Sequence, residues 1–300
     1  MRKLTLGMLL AALFLAGCGS TTAHKKGQIL AVGAENEYAN VIGQIGGKYV
    51  DTTAIMSNPN TDPHTFEASP SVAEEVSSAQ LIVQNGVGYD TFMNKIEGGS
   101  SNSTRKVIEA QNVLNLPTST PNPHLWYDPT TMPKVATAIA NALEEMEPAH
   151  RAYFKAHLAQ FDKSLQPWFE SLRNFRDRYA RLSVATTEPV ADYTLQALHA
   201  DNKTPWTLQA DIMNGVDPSP QDITIQDNLF RDHKVKVFVY NQQVTDTLTE
   251  SFIKLARANH IPVVGVYETM PTGYTYQRWM LAEVTALGKA ITAGKSTTRL

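Results

Sequence analysis

Short apolar runs alternate with amphipathic helical patterns along most of the chain. Runs rich in β-branched and aromatic residues predict strands at 28–33, 49–56, 81–86, 106–110, 183–187, 235–241 and 262–267. Strands that alternate with helices favour parallel sheets covered on both faces. The alternation occurs once before and once after a central helical segment, so the pattern predicts two α/β units.

The central segment carries an unusually long apolar stripe. Its large apolar residues are spaced alternately four and three apart: Phe154, Leu158, Phe161, Leu165, Trp168, Leu172, Phe175, Tyr179 and Leu182. This spacing predicts one long helix over 147–181, about 50 Å in length. Pro167 lies inside it and predicts a kink or an opened turn. A coiled-coil dimer seam is the alternative, but bulky aromatic residues are better suited to packing against a domain.

These patterns define a domain organisation of α/β class. We expect an N-terminal α/β lobe at 29–146, a linker helix at 147–182 and a C-terminal α/β lobe at 183–300. Each lobe should contain a parallel sheet flanked by helices. A chain that is 42% hydrophobic can bury sizeable cores in both lobes. We expect a monomer.

The first residues differ from the rest. Arg2 and Lys3 precede an almost wholly apolar run that is too short to span a bilayer, which is typical of a secretory signal peptide. The run ends in Leu-Ala-Gly-Cys, which resembles a bacterial lipobox with Cys18 as the lipidated residue. We therefore expect a lipoprotein signal peptide at 1–18 and a flexible tether at 19–28. The alternative is an N-terminal core helix.

Charge and cysteine content exclude several kinds of protein. The formal net charge is −3, and removal of Arg2 and Lys3 lowers it by two to −5, with no basic patch to attract nucleic acid. Cys18 is the only cysteine, so neither a disulfide within the chain nor a thiolate metal site can form.

Two histidines occur in nearly the same local context. Asp62-Pro63-His64 and Asn122-Pro123-His124 both lie in stretches rich in turn-forming residues. Proline fixes its own φ and favours an extended conformation in the residue before it. Each imidazole is therefore expected on a stiff, irregular connection that can aim it at a ligand.

Two carboxylates follow predicted strands of the second lobe. Glu188 comes directly after the strand near 183–187, and Glu268 follows the last strand. Ligands bind beyond the carboxyl ends of parallel strands, so His64, His124, Glu188 and Glu268 can face one cleft. Two imidazoles and two carboxylates can hold a divalent transition-metal ion. Asp128 is interpreted as the N-cap of a helix that begins at Pro129, not as a ligand.

Other candidate side chains have ordinary interpretations. The remaining histidines lie in the tether, on the long helix or near helix and turn ends. Glu35, Glu37 and Glu67 can line the cleft as outer neighbours of the site or as solvated acids. A metal hydrolase with Glu67 as its general base is a rival hypothesis, although no H-E-x-x-H motif supports it. A surface adhesin on the same fold is another.

Together these motifs carry a family resemblance that extends over nearly the whole mature chain. The lipobox, "DPHTFEASPS", "AQLIVQNGVGYDTFM", "NPHLWYDP" and the paired α/β lobes resemble the metal-binding lipoproteins of bacterial ABC importers for zinc and manganese. These are the cluster A-I, or family 9, solute-binding proteins. The resemblance implies a periplasmic-binding-protein-like fold in which a rigid helix joins two lobes and the metal lies between them.

The resemblance also implies the ligands and the role. The first two histidine ligands of the family correspond to His64 and His124, its third ligand to Glu188 and its fourth to Glu268. It implies a non-enzymatic receptor, lipid-anchored on the extracytoplasmic face, that binds Zn²⁺ or Mn²⁺ as the transported ligand and delivers it to a cognate permease. Residues 94–120 lack the histidine-rich loop common in zinc-type members, and the third ligand is Glu, as in manganese-type members. The choice of metal therefore stays open.

Overall fold

The structure is a computed structural model that describes residues 27–100 and 102–300. The predicted signal peptide, Cys18 and most of the tether lie outside the described residues. Within the described ranges, no helix combines the length and apolar character needed to cross a membrane.

The first half of the chain forms a four-stranded parallel sheet in the order β2-β1-β3-β4. Its strands are β1 Ile29–Glu35, β2 Val50–Met56, β3 Leu81–Gln84 and β4 Lys106–Glu109. Its helices are α1 Asn36–Gly46, α2 Pro70–Ser78, α3 Thr91–Gly99, α4 Ala110–Val113 and α5 Thr131–Met146. Short 3-10 turns lie at Gly47–Tyr49, Pro63–Thr65 and Leu125–Tyr127. Helix α2 begins with Pro70 after the N-cap Ser69, whose hydroxyl accepts a hydrogen bond from the Val72 amide.

The predicted long helix is divided into two. A 3-10 turn at Pro148–His150 leads into α6 Arg151–Ser164, and α7 Gln166–Tyr179 follows after the single residue Leu165. The break lies where Pro167 supplies no backbone N–H to the helical ladder, so the predicted interruption is confirmed. The stripe residues Phe154, Phe161 and Trp168 are buried in the core of their own chain. The alternative of a coiled-coil dimer seam is therefore wrong.

The second half repeats the architecture with a four-stranded parallel sheet in the order β6-β5-β7-β8. Its strands are β5 Ser183–Thr186, β6 Asp201–Asn202, β7 Val237–Asn241 and β8 Val263–Val266. Its helices are α8 Asp192–Ala197, α9 Trp206–Met213, α10 Pro220–Arg231, α11 Thr247–Ala258 and α12 Tyr276–Ala293. The predicted fold class, two parallel sheets flanked by helices, is confirmed.

One apolar core runs through both halves. It contains Leu81 from the first sheet, Trp168 from α7 and Val264 from the second sheet. Burial of such side chains is the main favourable contribution to folding. Because α7 packs against α12 and α6 against α5, the two helices connect the sheets through this shared core.

The start of α5 differs from the prediction. The helix begins at Thr131 with Thr130 as N-cap, two residues later than expected. Asp128 is not the N-cap: its Oδ1 accepts a hydrogen bond from the Thr130 amide at 2.8 Å and forms a turn before the helix.

Candidate metal centre

Both Pro-His motifs are built as the same local turn. The Asp62 Oδ1 accepts the backbone N–H of His64 at 2.8 Å, and the Asn122 Oδ1 accepts that of His124 at 3.0 Å. Asp and Asn form such turns with the backbone two residues on, and the intervening proline fixes φ. The repeated triplet thus holds each histidine backbone in a defined orientation.

The two imidazoles meet at one carboxylate oxygen. His64 Nε2 lies 3.2 Å and His124 Nε2 lies 3.1 Å from Glu268 Oε2. Taking one ligand atom from each residue, the three atoms lie within 4.8 Å of one another. His124 and Glu268 are fully buried, whereas the His64 side chain is 24% exposed. The site is therefore reached from solvent on its His64 side.

Hydrogen bonds determine the tautomer of His124. The Asn122 Nδ2 donates to the carbonyl of Pro189, so its oxygen faces the imidazole and accepts from Nδ1 at 2.8 Å. The Nδ1 atom therefore carries a hydrogen, and Nε2 of the neutral ring presents its lone pair towards Glu268. Such an outer hydrogen bond is typical of a metal-ligating histidine.

Glu268 is held as an anion. Burial by itself raises the pKa of this carboxyl, but hydrogen bonds and charge from His124 and His64, which act when these rings are protonated, outweigh burial and hold the pKa well below its usual range. Tyr89 Oη donates to Oε2 at 2.9 Å, and Asn241 Nδ2 donates to Oε1 at 2.5 Å. The carboxylate thus stays ionised at neutral pH in a buried place.

The pKa values of the two histidines are shifted in opposite directions. Burial lowers the pKa of His64, but the Glu268 carboxylate outweighs burial and raises it above its ordinary value. For His124, burial is the larger influence and the pKa is lowered. His124 is therefore neutral at physiological pH, while His64 holds a proton more strongly than a free imidazole, so a cation must compete with that proton.

Glu188 is not one of the three residues whose ligand atoms converge, although its charge interacts with that of Glu268. It follows β5 and is 3% exposed, and neither of its carboxylate oxygens has a hydrogen-bond partner within the described residues. Burial, and then the negative charge of Glu268, raise its pKa well above the usual range, and the nearby Asn241 amide opposes them only in part. The structure brings His64, His124 and Glu268 together, and Glu188 stays a predicted ligand.

The other candidate acids separate into two groups. Glu35 and Glu37 are buried, and burial is the first cause of the raised pKa of each; for Glu35 the neighbouring Asp90 adds to it. Glu67 is exposed, which suits a solvated acid better than a general base.

Several supporting residues were missed by reasoning from the sequence. Asn85 donates from Nδ2 to the Pro123 carbonyl at 2.8 Å and so supports the His124 turn. Tyr89 and Asn241 hold the two oxygens of Glu268. The Asx-Pro-His triplets were a usable signal for Asn122, and Asn85 and Tyr89 lie in the stretch "AQLIVQNGVGYDTFM" that carries the family resemblance. Nothing local indicates which groups these side chains contact, because their partners are distant in the chain.

The chemistry of the donor set fits a cation. A neutral His124 directs a lone pair at an ionised carboxylate 3.1 Å away, which is an unfavourable pairing unless positive charge lies between them. A proton on an imidazole or a metal ion can supply that charge. Two imidazole nitrogens with carboxylate oxygens suit a divalent transition-metal ion. Fold and site together define an α/β protein of two parallel sheets with a candidate metal centre between them.

Comparison with known proteins identifies the family. Residues 32–290 match the family described as "Zinc-uptake complex component A periplasmic" (ZnuA), and the chain belongs to this family. The resemblance to metal-binding solute-binding proteins of ABC importers is therefore confirmed.

Individual relatives are more distant. The chain is 26% identical over 192 residues to the manganese-binding lipoprotein MntA of Bacillus subtilis, covering 60% of each chain. It is 27% identical over 169 residues to the zinc-binding protein TroA of Treponema pallidum, covering 53% of this chain and 54% of TroA. The matched part thus spans about three fifths or less of these relatives. The solved structure of TroA shares the fold, with a TM-score of 0.74, 18% identity, and coverage of 90% of this chain and 100% of that one.

Proposed function

We propose that the protein captures Zn²⁺ or Mn²⁺ between its two lobes and delivers it to the permease of an ABC importer. The observation that carries this proposal is the convergence of His64, His124 and Glu268 on one point, with the tautomer of His124 set by Asn122. Membership of the ZnuA family supports the role in transport. In this proposal, 29–146 and 183–300 are the lobes, and 147–182 links them.

Glu188 is proposed as the fourth ligand. Its buried oxygens lack hydrogen-bond partners within the described residues, and its pKa is raised by burial and then by Glu268. A divalent cation would compensate both carboxylates. Four protein ligands would leave no open position for an activated water, so we infer a binding role without catalysis.

The test is a competition titration of the purified apoprotein. We expect one ion per chain and tighter binding of Zn²⁺ than of Mn²⁺, since the Irving–Williams order favours zinc at mixed nitrogen and oxygen sites. Glutamates that bind through both oxygens would reduce the difference in affinity between Zn²⁺ and Mn²⁺. Displacement of zinc by equimolar manganese would contradict the ranking, and failure to bind either ion would contradict the proposed function.

Affinity should depend on pH through His64. Its neutral form binds metal, and its pKa is raised in the free protein, so affinity should fall as pH drops through a value above the ordinary 6.5. Glu268 stays ionised because its pKa is lowered, and it should not contribute to this fall. Displacement of one proton predicts about a tenfold loss per pH unit below the His64 pKa. Zinc titrations between pH 5.5 and 8.5, an interval of roughly one to two units on either side of that ordinary value, measure it. An unchanged slope in His64→Ala would show that another group is responsible.

A lipid anchor at Cys18 is part of the proposal, with the mature protein held at the extracytoplasmic face of the membrane. The variant Cys18→Ala should leave the membrane fraction or stay as an uncleaved precursor, because the thiol is the expected attachment point. Fractionation of cells followed by mass measurement is the check. A variant that remains membrane-bound at the mature mass would refute the anchor.

A further inference from the structure

Gln243 lies two residues beyond β7 and between the connections that carry His64 and Glu268. Its side chain is buried, at 9% exposure, and is not among the proposed ligands. Every polar atom of its amide is used in contacts with those two connections.

On the side of the second sheet, Gln243 holds the backbone around Glu268. Its Oε1 accepts the N–H of Glu268 at 2.7 Å and that of Thr269 at 2.8 Å. The Gln243 backbone N–H donates to Asn241 Oδ1 at 3.0 Å, and Asn241 in turn holds the Glu268 carboxylate. A buried amide oxygen shared by two N–H groups fixes the direction of the segment that follows β8.

On the side of the first sheet, the same amide reaches the His64 loop, which we define as residues 57–69. Its Nε2 donates to the carbonyl of Thr61 at 2.7 Å, three residues before His64. The contact between His64 and Glu268 joins the same loop to the same segment. The His64 loop is therefore attached to the second half of the chain both by a ligand and by an amide that is independent of the ligand.

We propose that Gln243 is a positioning residue that holds the His64 loop over Glu268 and thereby limits how fast a bound ion leaves. This inference rests on the proposed function as a cation receptor. Dissociation requires His64 to move away from the ion, and the bond to Thr61 must break for the His64 loop to open. Because this bond adds to the free energy needed to open the His64 loop, the loop opens less often and the ion is released more slowly.

The segment that follows β8 and carries Glu268, residues 267–270 (the Glu268 segment), has a second attachment that does not involve Gln243. Asn36 Nδ2 donates to the Met270 carbonyl at 2.8 Å, and its Oδ1 accepts the Met270 N–H at 2.9 Å. Loss of the Gln243 side chain should therefore free the His64 loop more than it frees Glu268. The expected signature is faster release with the number of bound ions unchanged.

The experiment measures release of Zn²⁺ from the loaded protein into excess chelator by stopped flow. We expect Gln243→Ala to release zinc about tenfold faster, as loss of a buried hydrogen-bonded group implies, with one ion still bound and little change in the association rate. Gln243→Asn keeps the amide but is one methylene shorter, so it cannot span both connections and should also accelerate release.

Gln277→Ala is the matched control. Gln277 and Gln44 also exchange amide hydrogen bonds between the two halves, at 2.8 and 3.1 Å, but within the described residues neither side chain hydrogen-bonds to the His64 loop or to the Glu268 segment. Its release rate should equal that of the parent. Hydrogen exchange should rise within 57–69 in the two Gln243 variants and stay unchanged in the control.

Parental release rates and parental exchange at 57–69 in a folded Gln243 variant would overturn the inference while leaving the proposed function intact. If Gln243→Ala does not fold, the zinc release rate and the hydrogen exchange at 57–69 of Gln243→Asn test the inference instead. Absence of zinc binding by the parent protein would instead contradict the proposed function itself.

Discussion

Glu268→Gln should lower the affinity for Zn²⁺ by more than about 100-fold, because loss of an outer partner of a metal ligand alone costs roughly 10–100-fold. The substitution preserves shape but removes the negative charge on which His64 and His124 converge. It also places an amide where an ionised oxygen would bind the ion. Competition with a chromogenic chelator measures the change.

Glu67→Gln is the matched control for this prediction. Glu67 lies in the same His64 loop but is exposed, so its neutralisation should change the affinity by less than about twofold, as expected for a screened surface charge. His124→Ala should weaken binding as severely as Glu268→Gln, and His157→Ala should have no effect. Equal losses from Glu268→Gln and Glu67→Gln would place the metal elsewhere.

Trp168→Ala should lower the free energy of unfolding by about 3–5 kcal/mol, the range for truncating a buried tryptophan. The Trp168 side chain is 1% exposed and packs edge-to-face on Tyr276, with ring centroids 5.8 Å apart. It therefore fills the junction between α7 and the start of α12. Truncation leaves a cavity in the core shared by both sheets, and denaturant unfolding followed by circular dichroism measures the loss.

Trp206→Ala provides the comparison for the same change of side chain. Trp206 is 41% exposed at the start of α9, and its truncation should change stability by no more than about 0.5 kcal/mol. Similar losses of stability at both positions would mean that the apolar stripe of the central helices does not support the fold.

Local patterns account for the parts of the fold that were predictable. Runs of β-branched and aromatic residues mark seven of the strands. Pro167 indicates the break between α6 and α7, because a missing N–H acts on its own helix. The two-residue strand β6 was missed, since so short a segment has no periodicity.

The histidines of the candidate site were visible for a similar reason. An Asx-Pro-His triplet encodes its own turn, so His64 and His124 could be selected from residues that are adjacent in the chain. Glu268 could be selected because parallel strands direct their carboxyl ends to one edge. Neither the triplets nor the strand ends specify the distances between side chains, and neither shows that Glu188 lies outside the closest cluster.

By itself, the sequence determined the α/β class, the break in the central helices and the identity of the candidate histidines, because each depends on interactions within a few residues. Only the tertiary structure decided the tautomer of His124, the ionisation of Glu268 and the attachment of the His64 loop by Gln243. The last two depend on partners that are more than 100 residues apart in the sequence. Gln243 and Thr61, for example, are separated by 182 positions. Burial and hydrogen bonding between residues so distant in the sequence arise only when the whole chain packs, so no local sequence pattern predicts them.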